Sequence, residues 1–351
     1  MLRVNFYSYV LLLIILLTIA SNMGTLKSTA GNVFTICGST YDTSNEEIAY
    51  WNTLTDEIAN MARDAGYVVY ELYGESTTKE TILEKAQNTY IFIYTGHGKF
   101  SYDYYELHLF FVDNSGERVF DFEIYQNSNY YFYSLDYNER FVFLWSCFQA
   151  GGINYLENHI IGGIHDSSGR AYGMPYSWLY TTDLSTDGYA DPYSEYGRVF
   201  IGFLRYAPII TYVGGSINEG LPGYNPPLYW FVKLFFFALL KQWKLLDPSG
   251  MSINEALNFA SEIVWGTSFE NTSLYCGYII YDPENDAYYK GKMVVYGNGN
   301  YILINQRWNQ NPPSPPPIPS SINNYAIPIV ECYSSLTKLK IIMNWGVIIS
   351  E

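Results

Sequence analysis

With 351 residues and 48% hydrophobic content, the chain can bury one large core or a domain with appendages. Its formal charge of −15, with only 19 scattered Lys and Arg, excludes nucleic acid as a partner, because phosphate binding needs clustered cations. Most of the 37 tyrosines are expected to pack strands, and exposed ones suit protein or carbohydrate contact.

In chain order, Arg3 and the apolar run 10–20 make residues 1–30 a signal peptide or N-terminal anchor. The small residues Thr18 and Ala20 suit cleavage, and 28–30 is a second candidate point. Export to a secreted or cell-surface location is expected, with membrane contact only if this segment stays uncleaved. Residues 33–37 read as a buried strand. Ser44 with Glu47 forms a capping box, and Ile48, Trp51, Leu54, Ile58, Met61 and Ala65 step by three and four before Gly66, which predicts an amphipathic helix. A second strand follows at 67–72, and Thr77 with Glu80 opens a helix ending near Gln87.

The next two apolar runs carry the chemistry. Residues 90–95 end at Gly96-His97-Gly98, and residues 141–145 end at Ser146-Cys147 with Gly151 and Gly152 close behind. In a parallel sheet such ends lie side by side at the mouth where α/β folds keep their ligands, so a base would stand beside a thiol. Subtracting 97 from 147 gives 50, the histidine-to-cysteine interval of caspase-type enzymes. Between these strands, 107–112 and 119–124 read as a β-hairpin around Asn114-Ser115-Gly116.

These features resemble the caspase, legumain and gingipain group of cysteine peptidases: a hydrophobic strand ending in His-Gly, a second ending in a small residue and Cys, and a glycine soon after. Val33-Phe34-Thr35-Ile36-Cys37-Gly38-Ser39 is similar to the legumain first strand, with Thr40 where legumain has asparagine. The caspase Gln-Ala-Cys-x-Gly motif is not reproduced, so the resemblance is to the wider group. It implies a three-layer caspase-like α/β fold with a mostly parallel central sheet flanked by helices. It also implies that Cys147 attacks a peptide carbonyl, His97 delivers the proton, and the backbone N–H groups of Gly98 and Cys147 form the oxyanion hole. The substrate would be a protein or peptide, cleaved by an exported endopeptidase. The alternative is a catalytically silent module of the same fold that contacts protein or glycan.

Beyond Cys147, the stretch 162–191 is rich in Gly, Ser, Asp and Tyr and reads as a substrate-facing loop. Asp183, Asp187 and Asp191 there offer a hydrated turn, a calcium site or a pocket for a basic side chain. With Asp42, Asp183 and Asp187 are the candidate substrate-binding carboxylates, and they favour a basic side chain in the substrate. No cofactor is expected, and the histidines have no metal-ligand spacing. A serine-hydrolase elbow and a phosphate loop are both lacking. Asp and Glu are too scattered to nominate a glycosidase pair.

Residues 199–204 and 209–213 are candidate strands, and 228–246 is an apolar helix interrupted by Lys233 and Lys241, read as buried. Ser252 and Glu255 cap a helix that stops at Gly266, and 293–296 and 301–304 close the domain as short strands. Residues 31–308 are expected to form the peptidase domain that the resemblance implies, with 309–321 a proline-rich linker and 322–351 a C-terminal tail. With Cys147 kept as a thiol, Cys37 reads as a core residue and Cys276 with Cys332 as the only plausible bridge.

Overall fold

The computed structural model describes residues 33–103, 106–134, 140–150, 174–179, 198–211, 226–240, 251–276, 278–282 and 287–303. The N-terminal segment, the loop carrying Asp183, Asp187 and Asp191, the linker, the tail and Cys332 lie outside the described residues.

The N-terminal half alternates strand and helix. β1 (Val33–Gly38) leads into α1 (Asn45–Asp64), then β2 (Val68–Tyr73), α2 (Lys79–Asn88) and β3 (Ile91–Thr95). A small sheet follows, of β4 (Gly98–Asp103), β5 (Glu106–Val112) and β6 (Arg118–Phe120), then α3 (Asp121–Ser134) and β7 (Arg140–Trp145). The remainder comprises α4 (Met174–Leu179), β8 (Arg198–Leu204), α5 (Pro227–Leu240), α6 (Ile253–Trp265), the single turn α7 (Ser273–Cys276), β9 (Tyr278–Asp282) and β10 (Ala287–Gly297).

Among the described residues the main sheet has seven strands in the order β2-β1-β3-β7-β8-β10-β9. The first five run parallel, and β10 and β9 close the sheet antiparallel. Because side chains alternate along a strand, each central strand feeds two cores. Phe34, Ile36, Ile91, Ile93, Phe141, Phe143 and Trp145 pack with α1, α5 and α6 on one face. Cys37, Phe92, Tyr94, Val142 and Leu144 pack on the other with α2, α3, α4 and the small sheet. This is a three-layer α/β architecture with a mostly parallel sheet, as expected. Burying each large side chain contributes about 1.5–3 kcal/mol, which makes the strand alternation the dominant folding signal.

Several local expectations are corrected. The run 119–124 is not one strand: β6 ends at Phe120, and buried Asp121 accepts the Phe122 N–H at 2.8 Å and the Leu109 N–H at 3.1 Å as α3 begins. The α2 cap is Thr78, paired reciprocally with Thr81, rather than Thr77 with Glu80. Residues 209–211 form no strand, since Ile209 is exposed and the chain turns at Ile210 and Thr211. Strand β10 is longer than 293–296, and 301–303 contributes only an isolated bridge from Ile302 to Ser252. The apolar α5 is a buried core helix, and no described helix is long and apolar enough to cross a membrane.

Candidate active site

Strands β3 and β7 pair in parallel, with Thr95 beside Trp145, so the segments that follow leave the sheet together at its carboxyl edge. Gly96 carries φ +147° and donates its N–H to the Trp145 carbonyl at 3.4 Å. The left-handed backbone there lets the chain turn sharply and present His97 at the surface.

The exposed His97 ring is oriented by the main chain. Its Nε2 lies 3.0 Å from the carbonyl oxygen of Asp42. A carbonyl only accepts, so Nε2 carries the hydrogen and Nδ1 of the neutral ring is the basic nitrogen. Asp42 presents that carbonyl from a left-handed conformation, φ +52°. The loop is held from below, where Asn114 Oδ1 accepts the Thr40 N–H at 3.1 Å and also the Thr40 hydroxyl, while Ser39 Oγ donates to the Asp113 carbonyl at 2.9 Å.

Gly98 connects the histidine to the cysteine. A Cβ at this position would stand well under 3.0 Å from Ser146 Oγ, the Cys147 carbonyl oxygen and Gln149 Nε2, so the two backbones meet only because residue 98 is glycine. Opposite Phe111 in the β4–β5 ladder, Gly98 occupies a non-hydrogen-bonded position, as the flanking Val112 N–H to His97 carbonyl bond of 3.2 Å dictates. Its N–H therefore points away from β5.

Cys147 lies two residues beyond β7 and is half-buried, with a free thiol. Its sulfur accepts the Ala207 N–H at 3.3 Å, and Trp145 Nε1 donates to the Pro208 carbonyl at 2.7 Å, which fixes the 207–208 segment beside it. Gln149 Nε2 donates to both the Cys147 carbonyl, at 2.8 Å, and the Phe110 carbonyl, at 2.9 Å, tying the cysteine turn to the small sheet. Phe148 takes φ +65°, a conformation that costs about 1–2 kcal/mol in a non-glycine residue. Edge contacts with Phe100 and Tyr206, each at 5.1 Å, help hold it.

Burial pushes the Cys147 thiol up to about 11, and the nearby Glu47 carboxylate adds to that effect against the Ala207 N–H. The sulfur therefore holds its proton at neutral pH in this state. No hydrogen bond joins His97 to Cys147 directly. Cys37 is also free, but lies fully buried in β1 and is held still further toward the thiol form. Among the described residues no group of three metal-ligating side chains occurs.

The structure thus brings His97, Gly98, Cys147 and Asp42 to one edge, with Asp42 contributing its carbonyl. Three participants were missed in the sequence: the Asp42 carbonyl, Gln149 and Glu47. Backbone acceptors leave no residue-type signal, Gln149 stands in no motif, and Glu47 is masked by its capping pattern.

The described residues define a three-layer α/β protein with a histidine and a thiol at the carboxyl ends of two adjacent parallel strands. No protein-family model matches the chain, and no curated protein matches it in sequence. Among solved structures, the Drosophila initiator caspase Dronc is similar over 78% of this chain and 81% of its own, at 10% identity and a TM-score of 0.33. A Geobacter sulfurreducens protein is similar over 49% and 72%, at 12% identity and a TM-score of 0.27. Scores this low bear no weight, so the fold rests on strand order and register.

Proposed function

We propose that the chain is a cysteine endopeptidase of caspase-like architecture, with Cys147 as nucleophile and His97 as proton carrier. The observation that carries this reading is the junction at Gly98: the residue after the strand-end histidine packs directly on the main chain of the strand-end cysteine. In the proposed reaction His97 Nδ1 takes the Cys147 proton as sulfur bonds to the scissile carbonyl carbon. The N–H groups of Gly98 and Cys147 receive the developing oxyanion. Collapse breaks the C–N bond, the amine leaves with the proton from His97, and water then hydrolyses the thioester, returning the thiol. Donation of Nε2–H to the Asp42 carbonyl stabilises the imidazolium formed midway. A protonated resting thiol suits this sequence, since the proton moves only when substrate is present. Export belongs to the same proposal and rests on Arg3 with the apolar run 10–20.

The second reading, a silent binding module, is favoured by the raised thiol and by a histidine that bonds a carbonyl instead of the sulfur. A peptidyl electrophile with mass-spectrometric mapping separates the two. Selective labelling of Cys147, together with loss of peptide cleavage in folded Cys147→Ala and His97→Ala proteins, supports the enzyme. Cleavage that persists in folded Cys147→Ala protein excludes the mechanism.

A further inference from the structure

Two Ser-x-x-Glu sequences open helices in this chain, and they behave differently. At α6 the box is complete: Glu255 N–H donates to Ser252 Oγ at 3.3 Å, and Ser252 N–H donates back to Glu255 Oε2 at 2.8 Å. At α1 only the first half forms, Glu47 N–H to Ser44 Oγ at 3.2 Å. The return bond from the Ser44 N–H to the Glu47 carboxylate is not made, and the groups acting on that carboxylate are Trp51, the Ile210 main chain and His97.

The height of Glu47 follows from helix geometry. Trp51, one turn on from Glu47 and on the same face, packs edge to face on Trp145 at 5.6 Å between ring centroids. One turn rises about 5.4 Å and a strand about 3.3 Å per residue, so Glu47 stands roughly level with Ser146 and Cys147. The half-buried carboxylate is held above its usual range by burial, against the favourable influence of the Trp51 side chain, the Ile210 main chain and His97. It also opposes ionisation of the Cys147 thiol. A negative charge in this place works against a nucleophilic sulfur unless a cation offsets it, and among the described residues His97 is the ionisable side chain that favours it.

We propose that Glu47 is the specificity-determining carboxylate of the site: it receives a basic side chain of the substrate, and its neutralisation by that cation is what permits Cys147 to give up its proton. The inference rests on the peptidase reading. It couples recognition to activation, because a neutral substrate leaves the charge opposing the thiolate in place, whereas Lys or Arg removes it.

The test uses Glu47→Gln, which keeps the backbone bond to Ser44, and Glu47→Asp, with circular dichroism to confirm folding. In the free protein, the pH midpoint of Cys147 alkylation by iodoacetamide should fall by roughly one pH unit in Glu47→Gln. Acetyl-arginine amide should lower the midpoint in the unsubstituted protein and leave Glu47→Gln unchanged. In peptide libraries, preference for Lys or Arg over norleucine should drop about tenfold or more in Glu47→Gln and be partly kept in Glu47→Asp. A midpoint that ignores the substitution, or an undiminished basic preference in folded Glu47→Gln, overturns the proposal. Because alkylation needs no turnover, protein that cleaves no peptide yet shows both midpoint shifts defeats the peptidase reading while upholding the link between Glu47 and the thiol.

Discussion

His97 is held by the carbonyl of Asp42, with Nε2 and oxygen 3.0 Å apart, and the Asp42 side chain takes no part in that bond. The left-handed φ of +52° at residue 42 is what turns the carbonyl toward the ring. Asp42→Gly and Asp42→Asn, both at ease in that conformation, should therefore keep most of the proposed peptide cleavage, whereas Asp42→Val should lose it. Asn114→Ala, which releases Thr40 and loosens the loop, should lower kcat more than it raises KM. If Asp42→Gly is as inactive as Asp42→Val, the carboxylate rather than the carbonyl is the working group.

Substituting Gly98 should be costly. An added methyl would meet Ser146 Oγ, the Cys147 carbonyl and Gln149 Nε2 together, and two of these belong to a turn already carrying Phe148 at φ +65°. Gly98→Ala is expected to destabilise the fold by about 1–3 kcal/mol and to abolish cleavage. Urea unfolding and a peptide assay on the same preparation check both outcomes.

The two helix caps provide a stability comparison away from the chemistry. Ser252→Ala removes a complete reciprocal box at a buried position and should cost about 1–2 kcal/mol. Ser44→Ala removes half a box at an exposed position and should cost less. Thermal melts should rank them in that order, and equal shifts would show that the missing half of the α1 box has no energetic counterpart.

The sheet was legible because its central strands are β-branched and aromatic runs broken by glycine, and the helices because α1 and α6 repeat apolar residues at helical spacing while α5 is a nearly unbroken apolar run. The pattern failed where a polar group decides the conformation. Val119-Phe120-Asp121-Phe122-Glu123-Ile124 alternates like a strand, yet Asp121 is buried as an acceptor that starts a helix. Ile209 looks like the start of a strand, but the preceding Ala207 and Pro208 bond Cys147 and Trp145 and so are taken out of any ladder. Of the candidate site, the strand-end residues His97, Gly98 and Cys147 were readable from glycine breaks and spacing. Glu47 was not, because the carboxylate that caps a helix and the carboxylate that turns from the cap share one sequence pattern.

The last prediction concerns pH. Burial raises Cys147 from 9.0 to about 11, so the folded state holds a proton that the unfolded chain releases near 9. The sign follows directly: the stability linked to this group is fully present below about pH 9 and is lost as pH rises from there through about 11. Alkylation of the native protein by iodoacetamide should be slow at pH 7 and climb across the same window at Cys147, while Cys37, fully buried in β1, should stay unmodified until the protein unfolds. Cys147→Ala should make the fall in stability between pH 9 and 11 shallower, with the remaining slope coming from buried Cys37. A peptidyl electrophile should behave differently from iodoacetamide, labelling Cys147 near neutral pH, because only a bound peptide brings the sulfur, His97 and the reacting carbon together. Equal rates for the two reagents at pH 7 would mean that the thiol is simply exposed and not activated by substrate.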